Sequence, residues 1–239
     1  MKKLCFVLLW LVGLLLLIYL IRYPIPSFFS PTNVTMPLAN KVIVIDPGHG
    51  GPDGGADHDS VYEESIALDT SLLLRDYLQQ AGALVYMTRE TDKDLATEGT
   101  RGYSNRKSED IRNRVKFIQE KDPDLFISVH LNSIASSQWS GAQSFYYPDD
   151  EGNSEALAKA IQKRLREETN GTRVALGLNQ IYLLKHADAT GALVELGFLS
   201  NPDERRLLTQ ENYQKRLATS IAEGIVEFIM EEDVDNGAS

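Results

Sequence analysis

The residue types best suited to chemistry begin in a loop that rings one histidine with glycine: Asp46-Pro47-Gly48-His49-Gly50-Gly51-Pro52-Asp53-Gly54-Gly55. It follows the apolar run Val42 to Ile45. A strand that ends in a loop so poor in side chains leaves His49 open to a ligand, because glycine turns sharply and admits close approach. A second histidine, His130, ends the run Leu125-Phe126-Ile127-Ser128-Val129. An acid, Glu195, stands between Ala192-Leu193-Val194 and Leu196-Gly197-Phe198. A carboxyl in so apolar a run needs a partner or a function, and desolvation raises its pKa toward the range of a general base. Histidines and carboxylates are the ligands of catalytic zinc, which takes three of them and keeps one position open for water.

The third ligand is not fixed by spacing. Ser60-Val61-Tyr62-Glu63 fits a capping box, in which Glu63 serves the start of a helix. The same glutamate, beside the His49 loop, suits a metal equally well, and Glu64 is its adjacent rival. Other chemistries are excluded more firmly. The glycine loop lacks the lysine of a phosphate-cradling loop, and Asp53 stands where a dinucleotide fingerprint needs its third glycine. No G-x-S-x-G elbow and no H-E-x-x-H pair occurs. The single cysteine, Cys5, sits in an apolar N-terminal run, which removes thiol catalysis.

Positioning these residues requires a scaffold. Val42–Asp46, Leu84–Thr88, Leu125–His130, Gln143–Tyr147, Ile181–Leu184 and Ala192–Leu196 read as strands. Helical periodicity runs over Glu63–Ala81 with Gly82 as its stop, Glu109–Lys121, Asn153–Thr169 and Glu211–Met230. The alternation predicts a single α/β domain with a twisted, mostly parallel sheet flanked by helices. Ligands of such sheets lie beyond the carboxyl ends of the strands. His49, His130 and Glu195 all fall there.

The 239 residues suffice for one such domain plus an attachment. Leu4 to Ile21 is an uncharged apolar run that, at about 1.5 Å per residue, just reaches across a hydrocarbon core of about 30 Å. Lys2 and Lys3 precede it, which sets the N-terminus in the cytoplasm and the domain outside. Both a retained anchor and a cleaved signal segment export the domain; the flank Arg22-Tyr23-Pro24-Ile25-Pro26 has no small-x-small cleavage site, which favours the anchor. The expected organisation is a membrane or signal segment over 1–22, a proline-bearing linker over 23–40, the domain over 41–230 and a frayed acidic tail over 231–239. The net charge is −10, and no basic stripe appears, which argues against a nucleic-acid partner.

Four blocks then carry a family resemblance: Val42 to Gly51, Glu63, Ser128-Val129-His130-Leu131-Asn132, and Leu193-Val194-Glu195-Leu196-Gly197-Phe198-Leu199-Ser200-Asn201-Pro202. Together they resemble the zinc-dependent N-acetylmuramoyl-L-alanine amidases, bacterial enzymes that remove peptide stems from peptidoglycan. The resemblance spans Lys41 to Phe228. Thr88 to Asp92, the insert Leu95 to Lys107, Trp139 to Tyr147 and the N-terminal apolar segment look most like the sporulation and germination amidases of spore-forming bacteria.

The resemblance implies that His49, Glu63 and His130 bind Zn²⁺ and that Glu195 is the catalytic glutamate. It selects Glu63 over Glu64, because the family pattern is a ligand glutamate followed by lysine. Glu64 in the lysine's place is a departure that adds negative charge near the metal. Asp57-His58-Asp59 also departs from the pattern, so His58 reads as a solvated loop residue. His186 matches no ligand. Asn132 and Arg114 match recurring family positions without an assigned step. The implied partners are peptidoglycan strands with their stems, the membrane through the N-terminal segment, and a protein activator whose need is open. The implied biology is cortex maturation, through muramic-δ-lactam, and germination. Two other readings share the residues: a module that holds glycan without cutting it, and a zinc peptidase acting on the stem.

Overall fold

The computed structural model describes residues 2–22, 36–149 and 151–237. The chain divides into two compact units between Thr35 and Met36. The first holds helix α1 (Lys2–Arg22). Its described side chains are exposed, and it is apolar and long enough to cross a membrane. A helix that is apolar all round needs an apolar surrounding. The expected linker lies outside the described residues from 23 to 35.

The second unit includes the turn from Met36 that precedes the expected domain start at Lys41. Leu38 is fully buried, and its N–H donates to the Ala81 carbonyl at 3.0 Å. The first strand, β1 (Val42–Pro47), is buried almost throughout. A short hairpin, β2 (Asp57–His58) and β3 (Val61–Tyr62), leads into α2 (Glu63–Gln80). Then follow β4 (Leu84–Met87), α3 (Tyr103–Lys121), β5 (Leu125–Asn132), β6 (Gln143–Tyr146), α4 (Asn153–Thr169), β7 (Leu176–Gly177), α5 (Tyr182–His186), β8 (Gly191–Phe198), α6 (Pro202–Leu208) and α7 (Glu211–Gly237).

The six-stranded sheet has the order β4-β1-β5-β8-β6-β7. Pairs along β4-β1-β5-β8 are parallel, and β6 runs antiparallel to β8. Strand alternation sorts the core into two layers. Ile43, Ile45, Ile127, Val129, Val194 and Leu196 face α2, α4 and α7. Val44, Phe126 and Leu193 face α3 and α5. Asp46, Ser128, His130 and Glu195 continue this second face to the carboxyl ends of β1, β5 and β8. Register makes the convergence definite: Asp46 lies opposite Ser128, and His130 opposite Glu195.

The elements depart from the sequence expectation at four places. Ile181–Leu184 is not a strand; the run forms α5, which buries Leu183 and Leu184. So short an apolar run carries no decisive period. Helix α3 starts at Tyr103 rather than Glu109, and its polar first half is held by side-chain bonds instead of core burial. Helix α6 gave no periodic signal; Asn201 caps it through Oδ1, with Pro202 next. Helix α7 extends past the expected Met230 to Gly237.

Helices α4 and α7 approach closely at Gly224, where an added Cβ meets Ile161 Cα at 2.6 Å and Ile161 N at 2.8 Å. Alanine is the better helix former by about 1 kcal/mol. The contact outweighs that gain, so Gly224→Ala is expected to lose about 1–3 kcal/mol of stability in urea unfolding. A stabilised variant would contradict this packing.

Candidate metal centre

The site begins with the His49 loop, and two buried arginines hold it. Arg89 Nε donates to the Pro47 carbonyl at 3.0 Å, and its Nη2 donates to the carbonyls of Gly48 and Glu64, each at 2.7 Å. From the other side, Arg114 Nη1 donates to the Pro47 carbonyl at 2.7 Å and Nη2 to the His49 carbonyl. Arg114 also bonds Asp46 and Asp110, both at 2.8 Å. Three successive carbonyls are thereby fixed. His49 adopts a φ of 61°, which a side-chain-bearing residue rarely takes without such a constraint. Burial pushes the Asp46 carboxyl up, but Arg114 and the hydroxyls of Thr88 and Ser128 outweigh it and hold the pKa below its ordinary value.

Two glycines make room for ligands. A Cβ on Gly48 would sit 2.3 Å from His130 Cε1, and one on Gly55 only 2.6 Å from Glu63 Oε2. Gly55 also has a φ of 70°. The loop's poverty in side chains therefore lets the metal-type residues approach one another.

Helix α2 begins at Glu63. Tyr62 precedes it without a side-chain cap, and the N–H groups of Glu63 and Glu64 donate to the carbonyls of Ala56 and Gly54. The expected capping box is absent, and this frees the Glu63 carboxylate. Its Oε1 lies 2.9 Å from His130 Nδ1 and 3.1 Å from His49 Nε2. The same oxygen accepts the Leu131 N–H at 3.0 Å, while Oε2 accepts that of Ala56 at 2.9 Å. Burial opposes the charge, but both imidazoles hold Glu63 well below the usual carboxylate range. His49 is pushed up to about 9; burial pulls it down, and hydrogen bonding to Asp53 and Glu63 prevails.

One donor atom from each of His49, Glu63 and His130 lies within 4.8 Å of the others. Tetrahedral zinc with bonds of about 2.0–2.1 Å separates its ligand atoms by about 3.3 Å. The spacings of 2.9 and 3.1 Å to Glu63 Oε1 are slightly shorter, and one small cation fits the group with modest adjustment. The ring planes of the histidines stand at 77°, so they do not stack. His49 Nδ1 bonds Asp53 Oδ2 at 3.0 Å, which leaves Nε2 as the donor atom. Asp53 is itself fixed by Tyr103 Oη at 2.8 Å, Lys107 Nζ at 2.9 Å and the Gly55 N–H at 3.2 Å. Sequence reasoning missed this supporting acid; its only signal was an acid four residues after the loop histidine.

Glu195 stands across from His130 on β8. Its Oε2 is buried with no hydrogen-bond partner. Burial pushes its pKa up to about 7, with His130 opposing and Glu63 reinforcing the shift. A cavity of about 210 Å³ adjoins the centre, lined in part by His49, His130, Lys107, Tyr182 and Leu193. A larger groove of about 940 Å³ between α2, α4 and α7 contains none of these groups.

The remaining candidates lie elsewhere. Glu64 is not part of the His49–Glu63–His130 group. Its Oε2 is buried without a hydrogen-bond partner, 3.9 Å from Arg89, and burial and Asp92 raise its pKa. Its added charge is thus moderated. His58 is half-buried rather than solvated, with Nε2 3.1 Å from Ser133 Oγ. His186 is exposed on α5 beside the Tyr182 ring. Asn132 uses its carbonyl to accept the Leu199 N–H at 2.9 Å. Arg114, without an assigned role from sequence, is part of the clamp.

Comparison with known proteins follows this geometry. A family described as N-acetylmuramoyl-L-alanine amidase matches residues 43–227. The germination-specific N-acetylmuramoyl-L-alanine amidase of Bacillus subtilis (strain 168) is 48% identical over 223 residues, covering 93% of this chain and 94% of the relative. The fold is similar to the CwlD amidase from Clostridioides difficile, solved in complex with the GerS lipoprotein, at 37% identity and a TM-score of 0.78. That likeness covers 80% of this chain and 100% of that chain. The catalytic domain of CwlV from Bacillus (Paenibacillus) polymyxa var. colistinus matches at 30% identity and a TM-score of 0.69, covering 80% of this chain and 98% of that one.

The clamp predicts an acid-sensitive stability term. Asp46→Asn leaves Arg114 short of a buried anion and is expected to cost about 3–5 kcal/mol at pH 7 in urea unfolding. Because the folded-state pKa of Asp46 is lowered, its contribution is full above the ordinary value of 3.8 and fades as pH falls through the folded value. The gap between wild type and variant should therefore narrow below that pH. A gap that is constant down to acid unfolding would contradict the assignment.

Proposed function

Because the chain belongs to the N-acetylmuramoyl-L-alanine amidase family, we propose that it hydrolyses the amide between N-acetylmuramic acid and L-alanine in peptidoglycan, with His49, Glu63 and His130 as ligands of Zn²⁺ and Glu195 as proton carrier. The observation that carries this reading is the unpartnered, half-buried Glu195 carboxyl beside the His49–Glu63–His130 cluster. A binding module has no use for so costly a buried group.

The roles follow from the surroundings of each side chain. Once a divalent cation displaces the His49 proton, two neutral imidazoles and one carboxylate would give it a net site charge near +1. Zinc, when bound, supplies Lewis acidity that polarises a carbonyl and makes water more acidic. Glu63, held ionised by the imidazoles, serves as ligand. Asp53 holds His49 in the tautomer that presents Nε2. Glu195 takes a proton from the attacking water as the new C–O bond forms at the lactyl carbonyl carbon. It returns that proton to the alanine nitrogen as the C–N bond breaks, giving a muramoyl carboxyl and a free peptide amine. Glu195 ends as it began.

We further assign the enzyme to the outer face of the cytoplasmic membrane, held by α1, with Lys2 and Lys3 inside. The name of the Bacillus subtilis relative supports a germination role, with the freed muramoyl carboxyl as a step toward cortex muramic-δ-lactam. The lipoprotein bound to the Clostridioides difficile enzyme supports a protein partner for this chain as well.

Glu195→Gln is expected to retain zinc and lose about 10²–10⁴ of turnover on muropeptides. Full activity would remove Glu195 from the reaction. His130→Ala should release zinc at a chelator concentration that leaves the wild type loaded, and unchanged metal content would remove it as a ligand. Product analysis separates the amidase from a stem peptidase, because only the amidase yields peptide-free muramic acid.

A further inference from the structure

The polar row that starts at the metal-type cluster does not stop at Glu195. Gln143 on β6 lies directly across from Glu195 in the antiparallel pair with β8. Directly opposed side chains have Cβ atoms about 5 Å apart and share one face of the sheet. The Gln143 carbonyl oxygen accepts from Arg173 Nη1 at 2.7 Å, and its amide donates to the Val174 carbonyl at 2.9 Å. Gln143 is buried and fully oriented by these bonds.

Arg173 is held as firmly. Its Nε donates to the Ser140 carbonyl at 2.7 Å. The guanidinium lies over the Phe198 ring at 4.5 Å and over the Trp139 ring at 5.5 Å. No carboxylate pairs with it among the described residues. Glu204, which it feels electrostatically, directs its two oxygens to the N–H groups of Gly141 and Phe198, each at 2.8 Å. Arg173 Nη2 makes no hydrogen bond among the described residues. An acidic protein thus keeps a pre-oriented, unpaired cation on the face that carries Glu195. A planar guanidinium with free N–H groups suits a carboxylate.

We propose that Arg173, oriented by Gln143 and the Trp139 and Phe198 rings, is a subsite for a stem-peptide carboxylate. The proposal rests on the amidase reading. In the intact substrate the lactyl carboxyl is tied up in the scissile amide, so the anions belong to the stem. Distance selects the stem's second residue. Adding the cross-strand spacing of about 5 Å to the reach of the Gln143 side chain and its bond to Arg173 puts the guanidinium on the order of 8–10 Å from the Glu195 Cβ. At about 3.5 Å per extended residue, the α-carboxyl of the second residue lies about 7 Å from the scissile nitrogen. Its free α-carboxylate, where D-glutamate is linked through its side chain, comes within reach of Arg173.

The test uses the full chain in detergent and two soluble muropeptides, one with D-glutamate and one with its α-amide at the second stem position. Wild-type turnover of either substrate checks the amidase reading by itself. Arg173→Ala is expected to raise KM about 10- to 100-fold for the free acid, the worth of a charge-assisted hydrogen bond. It should leave kcat within about twofold and change the amide substrate little. Arg173→Lys, which keeps the charge without the planar fork, should recover part of the loss for the acid only. Equal losses on both substrates would reduce Arg173 to a support of the Trp139 loop and overturn the proposal. Unchanged kinetics on both would also overturn it.

Discussion

The centre depends on two buried guanidinium groups that capture the carbonyls of residues 47 to 49. A glycine-rich loop is costly to order, because each glycine loses more conformational freedom than any other residue. Without a counterweight, His49 would sample many positions. Arg89 and Arg114 supply it from opposite sides. Asp46 anchors Arg114 at the end of β1, and Ser128 on the neighbouring strand anchors Asp46. The loop is thus tied to the sheet through charge-assisted hydrogen bonds in a dry environment, where such bonds are strong and unpaired groups are costly.

The clamp allows two nearby glutamates to behave in opposite ways. Glu63 receives two backbone N–H groups and faces two imidazoles, so it stays ionised despite burial. Glu195 Oε2 receives no hydrogen bond among the described residues, and burial raises the pKa of Glu195 to about 7. Environments that separate two carboxyls in this way also separate their roles. Glu63 is thereby an anion suited to a cation, and Glu195 is a carboxyl whose raised pKa suits it to exchanging a proton. Register fixes the arrangement, since His130 and Glu195 are direct neighbours across β5 and β8.

Much of this was legible in the sequence. The apolar runs at β1, β5 and β8 identified the sheet, and their ends marked His49, His130 and Glu195. Long-range closure was less visible. Arg89 belongs to the loop after β4 and Arg114 to α3, yet both act on the loop after β1. No local period reports such contacts. Asp53 looked like a failed glycine position and is instead the acid that orients His49. The Glu63 ambiguity arises because a capping box and a metal ligand share one residue type; the helix start is served instead by the backbone carbonyls of Ala56 and Gly54, which leaves the carboxylate free to face the histidines. The Ile181–Leu184 run failed as a strand because burial of Leu183 and Leu184 against the α3 side satisfies the same residues as a short helix.

The proposed metal centre requires the clamped loop to present two imidazole nitrogens and one carboxylate oxygen to a single zinc ion. Zinc-edge X-ray absorption on the zinc-loaded protein tests it most directly. The expected result is a low coordination number, with two imidazole scattering signatures and nitrogen and oxygen neighbours at about 2.0–2.2 Å. His49→Ala should remove one of the two imidazole signatures. A shell without imidazole, or one that His49→Ala leaves unchanged, would contradict the account.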